Sequence, residues 1–286
     1  MKYSYFPGCS TKGTARDYEA SILEVTRLLG IELAELPDWN CCGASSAHMI
    51  NEKLDVKLSA RNLAQANEAG LPLMTPCAAC YQRTRNANLV LKEKGAEYGM
   101  AGYEGKVAIE HLTGLLVKPE NLEKIRSLVK HPLKGVKFAA YYGCLTNRPP
   151  RVTGAADYEQ PRELDRIIEA VGGTAVSWSH RTECCGGSLT VARADIVRHL
   201  VKDIVNAARR GGAEAIVVDC AMCQANLESR QADLLKTDSD FQMLPVYFGT
   251  EIIAAALSEA GEAKWIKGHL LDASFLAGKM AELRRS

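Results

Sequence analysis

The sequence predicts an internally duplicated α/β protein of two pseudo-symmetric lobes, each a small, mainly parallel sheet flanked by helices. Three observations carry this. The ten cysteines form two sets of five, and Cys41, Cys42, Cys77 and Cys80 return as Cys184, Cys185, Cys220 and Cys223 at a constant offset of 143 residues. β-prone stretches alternate with segments of helical periodicity, in the same order in both halves. One such stretch, Ala215-Ile216-Val217-Val218, is apolar throughout, as a parallel strand covered on both faces must be.

Taken in order, "KYSYFPGC" and "VKFAAYYGC" each run a strand into Gly-Cys. "YEASILEVTRLLG" places Tyr18, Ile22, Val25 and Leu29 at helical spacing, and "RELDRIIEAVG" answers with Leu164, Ile167, Ile168 and Val171. Both helices run into glycine, which suits a left-handed C-terminal cap. "IELAEL" and "TAVSWS" read as second strands. A long helix follows each cysteine pair, clearest at Ile196, Val197, Leu200, Val201, Ile204 and Val205. "LPLMTPC" and "AEAIVVDC" supply third strands that lead directly into C-x-x-C and another helix. Pro132 and Gly135 interrupt helical segments over roughly 105–130, which sets the expected boundary. The first domain is then 1–132 and the second 133–286, the last forty or so residues being packing helices.

At 286 residues the chain can bury a core without staples, and a formal net charge of +1 points to no nucleic acid or anionic membrane. No apolar run approaches the roughly 18 residues that span a bilayer, and "MKYSYFPGCS" lacks a signal-peptide core. A cytoplasmic protein is expected, and its thiols then serve packing, catalysis or metal in place of disulfides.

Each C-x-x-C falls where a strand ends and a helix begins, the edge at which α/β folds bind ligands. The free N–H groups and positive end of the helix favour thiolates or an anionic cluster. Gly8 and Gly143 precede the first cysteine of each set, Cys9 and Cys144, and Gly43 and Gly186 follow the pairs. Adjacent thiolates are awkward ligands for one tetrahedral ion but can hold two irons of one cluster. Five thiolates exceed the four of a structural zinc site or an ordinary iron–sulfur cluster. A cluster of unusual shape is the favoured reading, against two zinc sites each with a spare thiol, buried structural cysteines or a disulfide scaffold.

"FPGCS", "WNCCGASSAH", "TPCAACY", "YYGC", "ECCGGS" and "DCAMCQANL" resemble the CCG-domain proteins, specifically the B subunit of heterodisulfide reductase and its bacterial relatives. The resemblance covers nearly the whole chain. It implies two non-cubane [4Fe-4S] clusters, one on Cys9, Cys41, Cys42, Cys77 and Cys80, the other on Cys144, Cys184, Cys185, Cys220 and Cys223. It also implies reduction of a disulfide to two thiols. The electrons would come from the reductase's ferredoxin-like iron–sulfur protein, its C component, fed by a flavoprotein, its A component. The chain itself has no ferredoxin-type cysteine run, no G-x-G-x-x-G and no phosphate loop, so electrons must come from a partner. The alternative is an electron-relay CCG protein within a succinate or fumarate, lactate or glycolate oxidoreductase complex, passing electrons toward quinone.

Eight residues inserted in the second repeat bring Arg148 and Arg151 near Cys144, and Arg181 precedes the second pair, so these are the candidate binders of an anionic substrate. His48, six residues after Cys42, is the candidate proton donor to a departing thiolate. His111, His131, His199 and His269 read as surface or capping residues. Trp39 and Trp178 precede the pairs and are expected to shield them or to pack in the core.

Overall fold

The computed structural model describes residues 1–44, 47–259 and 264–285. Two four-stranded parallel sheets form its centre. The first contains β1 (Lys2–Tyr5), β2 (Glu32–Glu35), β3 (Leu73–Thr75) and β4 (Ile109–His111), in spatial order β2-β1-β3-β4. The second contains β5 (Lys137–Tyr141), β6 (Thr174–Ala175), β7 (Ala215–Val218) and β8 (Val246–Phe248), in the same order β6-β5-β7-β8. The register repeats as well: Tyr5 pairs with Met74 in one sheet and Tyr141 with Val218 in the other. The duplication seen in the cysteines is a duplication of topology.

The helices expected after the first strand of each repeat form. The first spans Arg16–Leu28 and buries Tyr18, Ile22 and Val25; its counterpart spans Glu163–Ala170 and buries Leu164, Ile167 and Ile168. Gly30 and Gly172 follow them with φ of 66° and 82°, the left-handed stop expected from the sequence. The long helix of the second repeat runs Ala194–Arg210.

The prediction missed the fourth strand of each sheet. Ile109–His111 lies within the stretch read as helical, and Val246–Phe248 opens the tail read as packing helices. Three residues are too few to show a two-residue period, and both strands pass at once into helices, Leu112–Leu116 and Gly249–Leu257. "TAVSWS" is the reverse case, with only Thr174 and Ala175 in the ladder.

The lobes pack reciprocally. The Arg16–Leu28 helix lies against Gly249–Leu257 of the second half, and Glu163–Ala170 lies against Leu112–Leu116 and Pro119–Leu128 of the first. One core cluster therefore joins Tyr3, Tyr18 and Ile22 to Phe138, Ile216 and Phe248. Tyr18 stacks on Phe248 with ring centroids 3.9 Å apart, and Ser21 shares a 2.7 Å hydrogen bond with Thr250. Phe248→Ala should lower stability by about 3–5 kcal/mol, because a fully enclosed ring leaves a cavity that the interface cannot collapse to fill. Urea unfolding checks this, and a loss below about 1 kcal/mol would show that the stack is dispensable. Among the described residues no helix is long and apolar enough to cross a membrane.

Candidate functional site

Parallel strands deliver all five cysteines of a lobe to one sheet edge. β1 leads through Phe6 and Pro7 to Gly8 and Cys9, β2 to Cys41 and Cys42, and β3 through Pro76 to Cys77. Cys77 has extended backbone angles (φ −94°, ψ 120°) and caps the Ala78–Lys94 helix, whose first turn carries Cys80. Cys220 does the same (φ −133°, ψ 118°) for Ala221–Thr237, which carries Cys223. At the first of these helix starts the Ala79 and Cys80 N–H groups donate to the Cys77 thiol, the use that free N–H groups at a helix N-terminus allow.

The glycines act in two ways. Gly8 has φ of 75°, and a Cβ there would stand 2.8 Å from Cys80 Sγ; at Gly143 (φ 61°) the distance to Cys223 Sγ would be 3.2 Å. These positions admit the close approach of β1 and β5 to the sulfurs only because they lack a side chain. The glycines after the pairs turn their amides back onto the first thiol: Gly43 N–H donates to Cys41 Sγ at 3.4 Å and Gly186 N–H to Cys184 Sγ at 3.3 Å. The local sense of Cys-Cys-Gly is therefore two sulfurs facing different ways, with a backbone donor returned to one of them.

All ten cysteines are free. Cys144 Sγ lies 3.9 Å from Cys184 Sγ and Cys185 Sγ 3.8 Å from Cys223 Sγ, nearly twice a disulfide bond length. Within each pentad the thiols hydrogen-bond to one another and divide their acidity. Donation from Cys41 and Cys80 lowers the Cys42 pKa to about 5, and donation from Cys144 lowers Cys184 to about 6. Cys77 and Cys185 are lowered the same way, by Cys80 and Cys223. The donors move up: Cys9 through Cys41, Cys80 through Cys42, Cys144 through Cys184 and Cys223 through Cys185. Each lobe thus presents an all-sulfur donor set with thiolates in place, the chemistry that suits iron–sulfur clusters or zinc and not hard cations. Among the described residues no three His, Cys, Asp or Glu side chains are arranged to hold a single metal ion. Instead, all five cysteines of the second lobe line a cavity of about 550 Å³ between the lobes. Its opposite wall comes from the first lobe: Ala44, Ala78, Ala79 and Arg83.

The other sequence candidates lie elsewhere. Arg148 donates to the Thr182 carbonyl at 3.3 Å, and Arg151 is exposed on the Pro150–Thr153 helix. Arg181 is buried, ion-paired with Asp165 and 5.2 Å over the Tyr142 ring. None of the three lines the cavity. The His48 side chain lies outside the described residues. Trp178 is buried and donates to the Ala140 carbonyl at 3.2 Å, tying the second pair's loop to β5; Trp39 is half-buried, donates to Glu35 and meets Phe6 edge-on.

Two histidines depart from the surface reading. His111 caps the Leu112–Leu116 helix as expected but is buried, and its Nε2 lies 3.1 Å from the carbonyl of Pro76, which precedes Cys77. Burial lowers its pKa to about 4. His269 lies between buried Glu228 and Glu251, 2.6 and 3.1 Å away. Sequence reasoning also passed over Asp219, just before Cys220. Burial lifts its carboxyl to about 7, and Oδ2 accepts from Thr113 at 3.1 Å. Tyr18 reaches across the same axis to the Pro76 and Asp219 carbonyls at 3.2 and 3.4 Å. The signal for Asp219 was present: it is the one polar residue ending an otherwise apolar strand.

The cysteine-rich domain model named CCG matches residues 3–83 and again 138–228. The 8-methylmenaquinol:fumarate reductase membrane anchor subunit of Wolinella succinogenes is 29% identical, over 96% of this chain and 99% of the relative. A protein of Archaeoglobus profundus, described as like the B subunit of heterodisulfide reductase, is also 29% identical, over 90% and 91%. The B subunit of the ferredoxin:CoB-CoM heterodisulfide reductase of Methanosarcina mazei is 25% identical, over 90% and 89%. A crystal structure of a hypothetical protein from Helicobacter pylori shares the fold, with a TM-score of 0.67 at 17% identity over 90% of this chain. This chain spans about half (49%) of that solved chain.

Proposed function

The chain belongs to the cysteine-rich CCG domain family, and on that premise we propose that it is the disulfide-reducing iron–sulfur subunit of a heterodisulfide reductase-type complex in the cytoplasm. Its coarser character, an iron–sulfur subunit in electron transfer, accords with both groups of relatives. Each pentad holds one non-cubane [4Fe-4S] cluster, the first on Cys9, Cys41, Cys42, Cys77 and Cys80, the second on Cys144, Cys184, Cys185, Cys220 and Cys223. When bound, such clusters deliver reducing equivalents singly. The electrons originate in a ferredoxin-like iron–sulfur protein and a flavoprotein of the same complex.

The observation that supports substrate chemistry over simple relay is the cavity. All five sulfurs of the second set wall this space of about 550 Å³, so part of it is the place of the metal centre itself. What a relay would not need is its apolar remainder at Leu145, Val191 and Met222, of a kind that lines small-molecule sites. The reaction balances as R–S–S–R′ + 2 e⁻ + 2 H⁺ → RSH + R′SH. The residues at hand orient the disulfide: Leu145, Val191 and Met222 give apolar walls, and the starts of the helices at Ala78 and Ala221 turn positive ends toward developing thiolates.

The same apolar walls would take a quinone ring, and the Wolinella relative carries a menaquinol in its name. Anaerobic reconstitution with iron and sulfide should yield about eight irons per chain, four at each pentad. The chemically reduced protein should then turn over disulfides and leave a menaquinone analogue unreduced. Turnover of the quinone alone would favour the relay, and stoichiometric zinc in a colourless protein would defeat both readings.

A further inference from the structure

The chain enters the second sheet through residues 130–134, at the end of β5 opposite the one that leads to Cys144. A cavity of about 480 Å³ opens there, between this connection and the end of the last helix, Ser274–Leu283. Lys130, His131, Lys134 and Arg284 line it over a floor of Met280 and Leu283, and no acidic side chain among the described residues joins them. The whole chain carries a formal net charge of only +1, so this gathering of cations is a local feature. Its frame is fixed. One carbonyl, that of Ala256, accepts from Lys130 N–H and from His131 N–H, both at 3.0 Å. Leu133 is fully buried, and its N–H donates to the Val171 carbonyl at 2.9 Å. On the other wall Met280 is buried, and its carbonyl accepts from Arg284 Nε at 3.2 Å. Lys130 pairs with Glu259, while Lys134 is exposed with no carboxylate partner among the described residues.

We propose that this cavity binds an organic diphosphate, its phosphates held by Lys130, Lys134 and Arg284 and its organic body resting on Met280 and Leu283. Cations contributed by two separate segments match an anion with two charged centres, whereas a single carboxylate would leave most of their charge unanswered. The volume lies within the range of small-molecule sites, and the apolar floor calls for more than a bare inorganic anion. Bound there, the ligand bridges the connection between the lobes and the tail helix. The sulfurs lie at the other end of the strands, so the assignment is independent of whether they serve a disulfide or a quinone.

The test is calorimetry in phosphate-free buffer at low ionic strength, with ADP, inorganic diphosphate and adenosine as probes. The proteins are reconstituted wild type, Lys134→Gln, Lys134→Arg, Arg284→Gln and the double variant Lys134→Gln with Arg284→Gln. A second double variant, Lys53→Gln with Lys236→Gln, removes two exposed charges elsewhere as a control. Wild type should bind ADP about tenfold more tightly than diphosphate, through the apolar floor, and adenosine not measurably. Lys134→Gln and Arg284→Gln should each weaken ADP about fivefold and their combination about 25-fold, the scale of solvent-exposed ion pairs. Lys134→Arg and the control should keep wild-type affinity. Saturating ADP should raise the urea midpoint of wild type and leave that of the first double variant in place, with iron content the same throughout. No binding of ADP, an equal loss in the control, or undiminished binding by the first double variant would overturn the assignment. Diphosphate binding as tightly as ADP would also overturn it, by reducing the ligand to an inorganic anion. Capture on phosphatidylglycerol vesicles without binding of free ADP would do so in favour of a membrane surface.

Discussion

Gly8→Ala should strip the first metal centre and leave the second, so that iron per reconstituted chain falls by about half. The argument is local. At φ of 75° an L-residue carries a left-handed penalty of about 1–2 kcal/mol, and the added Cβ would stand 2.8 Å from Cys80 Sγ. That separation is below any real carbon–sulfur contact, and neither neighbour yields easily. Cys80 is fixed in the first turn of the Ala78–Lys94 helix, and Gly8 is held by β1, whose continuation at Phe6 donates to the Met74 carbonyl at 2.9 Å. The sulfur must leave its place among Cys9, Cys42 and Cys77. Gly143→Ala is the graded comparison: φ is 61° and the distance to Cys223 Sγ is 3.2 Å, so a shift of a few tenths of an ångström suffices and partial loading of the second centre is expected. Metal analysis with urea midpoints reads both. A fully loaded Gly8→Ala protein would mean that Cys80 is not a ligand in the first set.

How far the sequence could be read depended on how local each feature is. The cysteine register, the Gly-Cys turns and the helices at Ile22 and Ile167 depend on neighbours in the chain, and they are where the pattern places them. β4 and β8 exist because β3 and β7 lie beside them, and a three-residue strand leaves no signature of its own. Arg83 was legible in principle, being three residues after Cys80 on one helix and so on the same face as that cysteine. Attention to arginines near Cys144 passed over it because those were closer in sequence, whereas the cavity wall opposite the second set is built by the first lobe. Arg181 shows the converse: it adjoins the pair in sequence, but its guanidinium turns away to Asp165 and the Tyr142 ring.

His269 shows what no spacing could reveal, and it carries the second large effect. The tail folds back to set its ring between Glu228 and Glu251, with side-chain exposures of 3%, 1% and 0% respectively. The carboxylates are held in turn by backbone: Glu228 accepts from Leu270 N–H and Glu251 from Phe248 N–H, both at 2.8 Å. Burial alone would lower the histidine pKa and does raise that of Glu251, but hydrogen bonds to the two carboxylates outweigh burial for the ring and lift it to about 10. A folded-state pKa above the unfolded value of about 6.5 means that the native protein binds the proton more tightly. The stabilisation is therefore complete below about pH 6.5 and is lost as pH rises through about 10. His269→Gln should cost about 3–5 kcal/mol at pH 7, because two buried carboxylates lose their cation. Adding Glu251→Gln should recover part of that loss, the pair being far from additive. Urea midpoints measured from pH 6 to 10.5 should fall for wild type and stay nearly level for His269→Gln over the same span. Parallel profiles would show that the ring is neutral, and the triad would then reduce to ordinary hydrogen bonds between a histidine and a protonated acid.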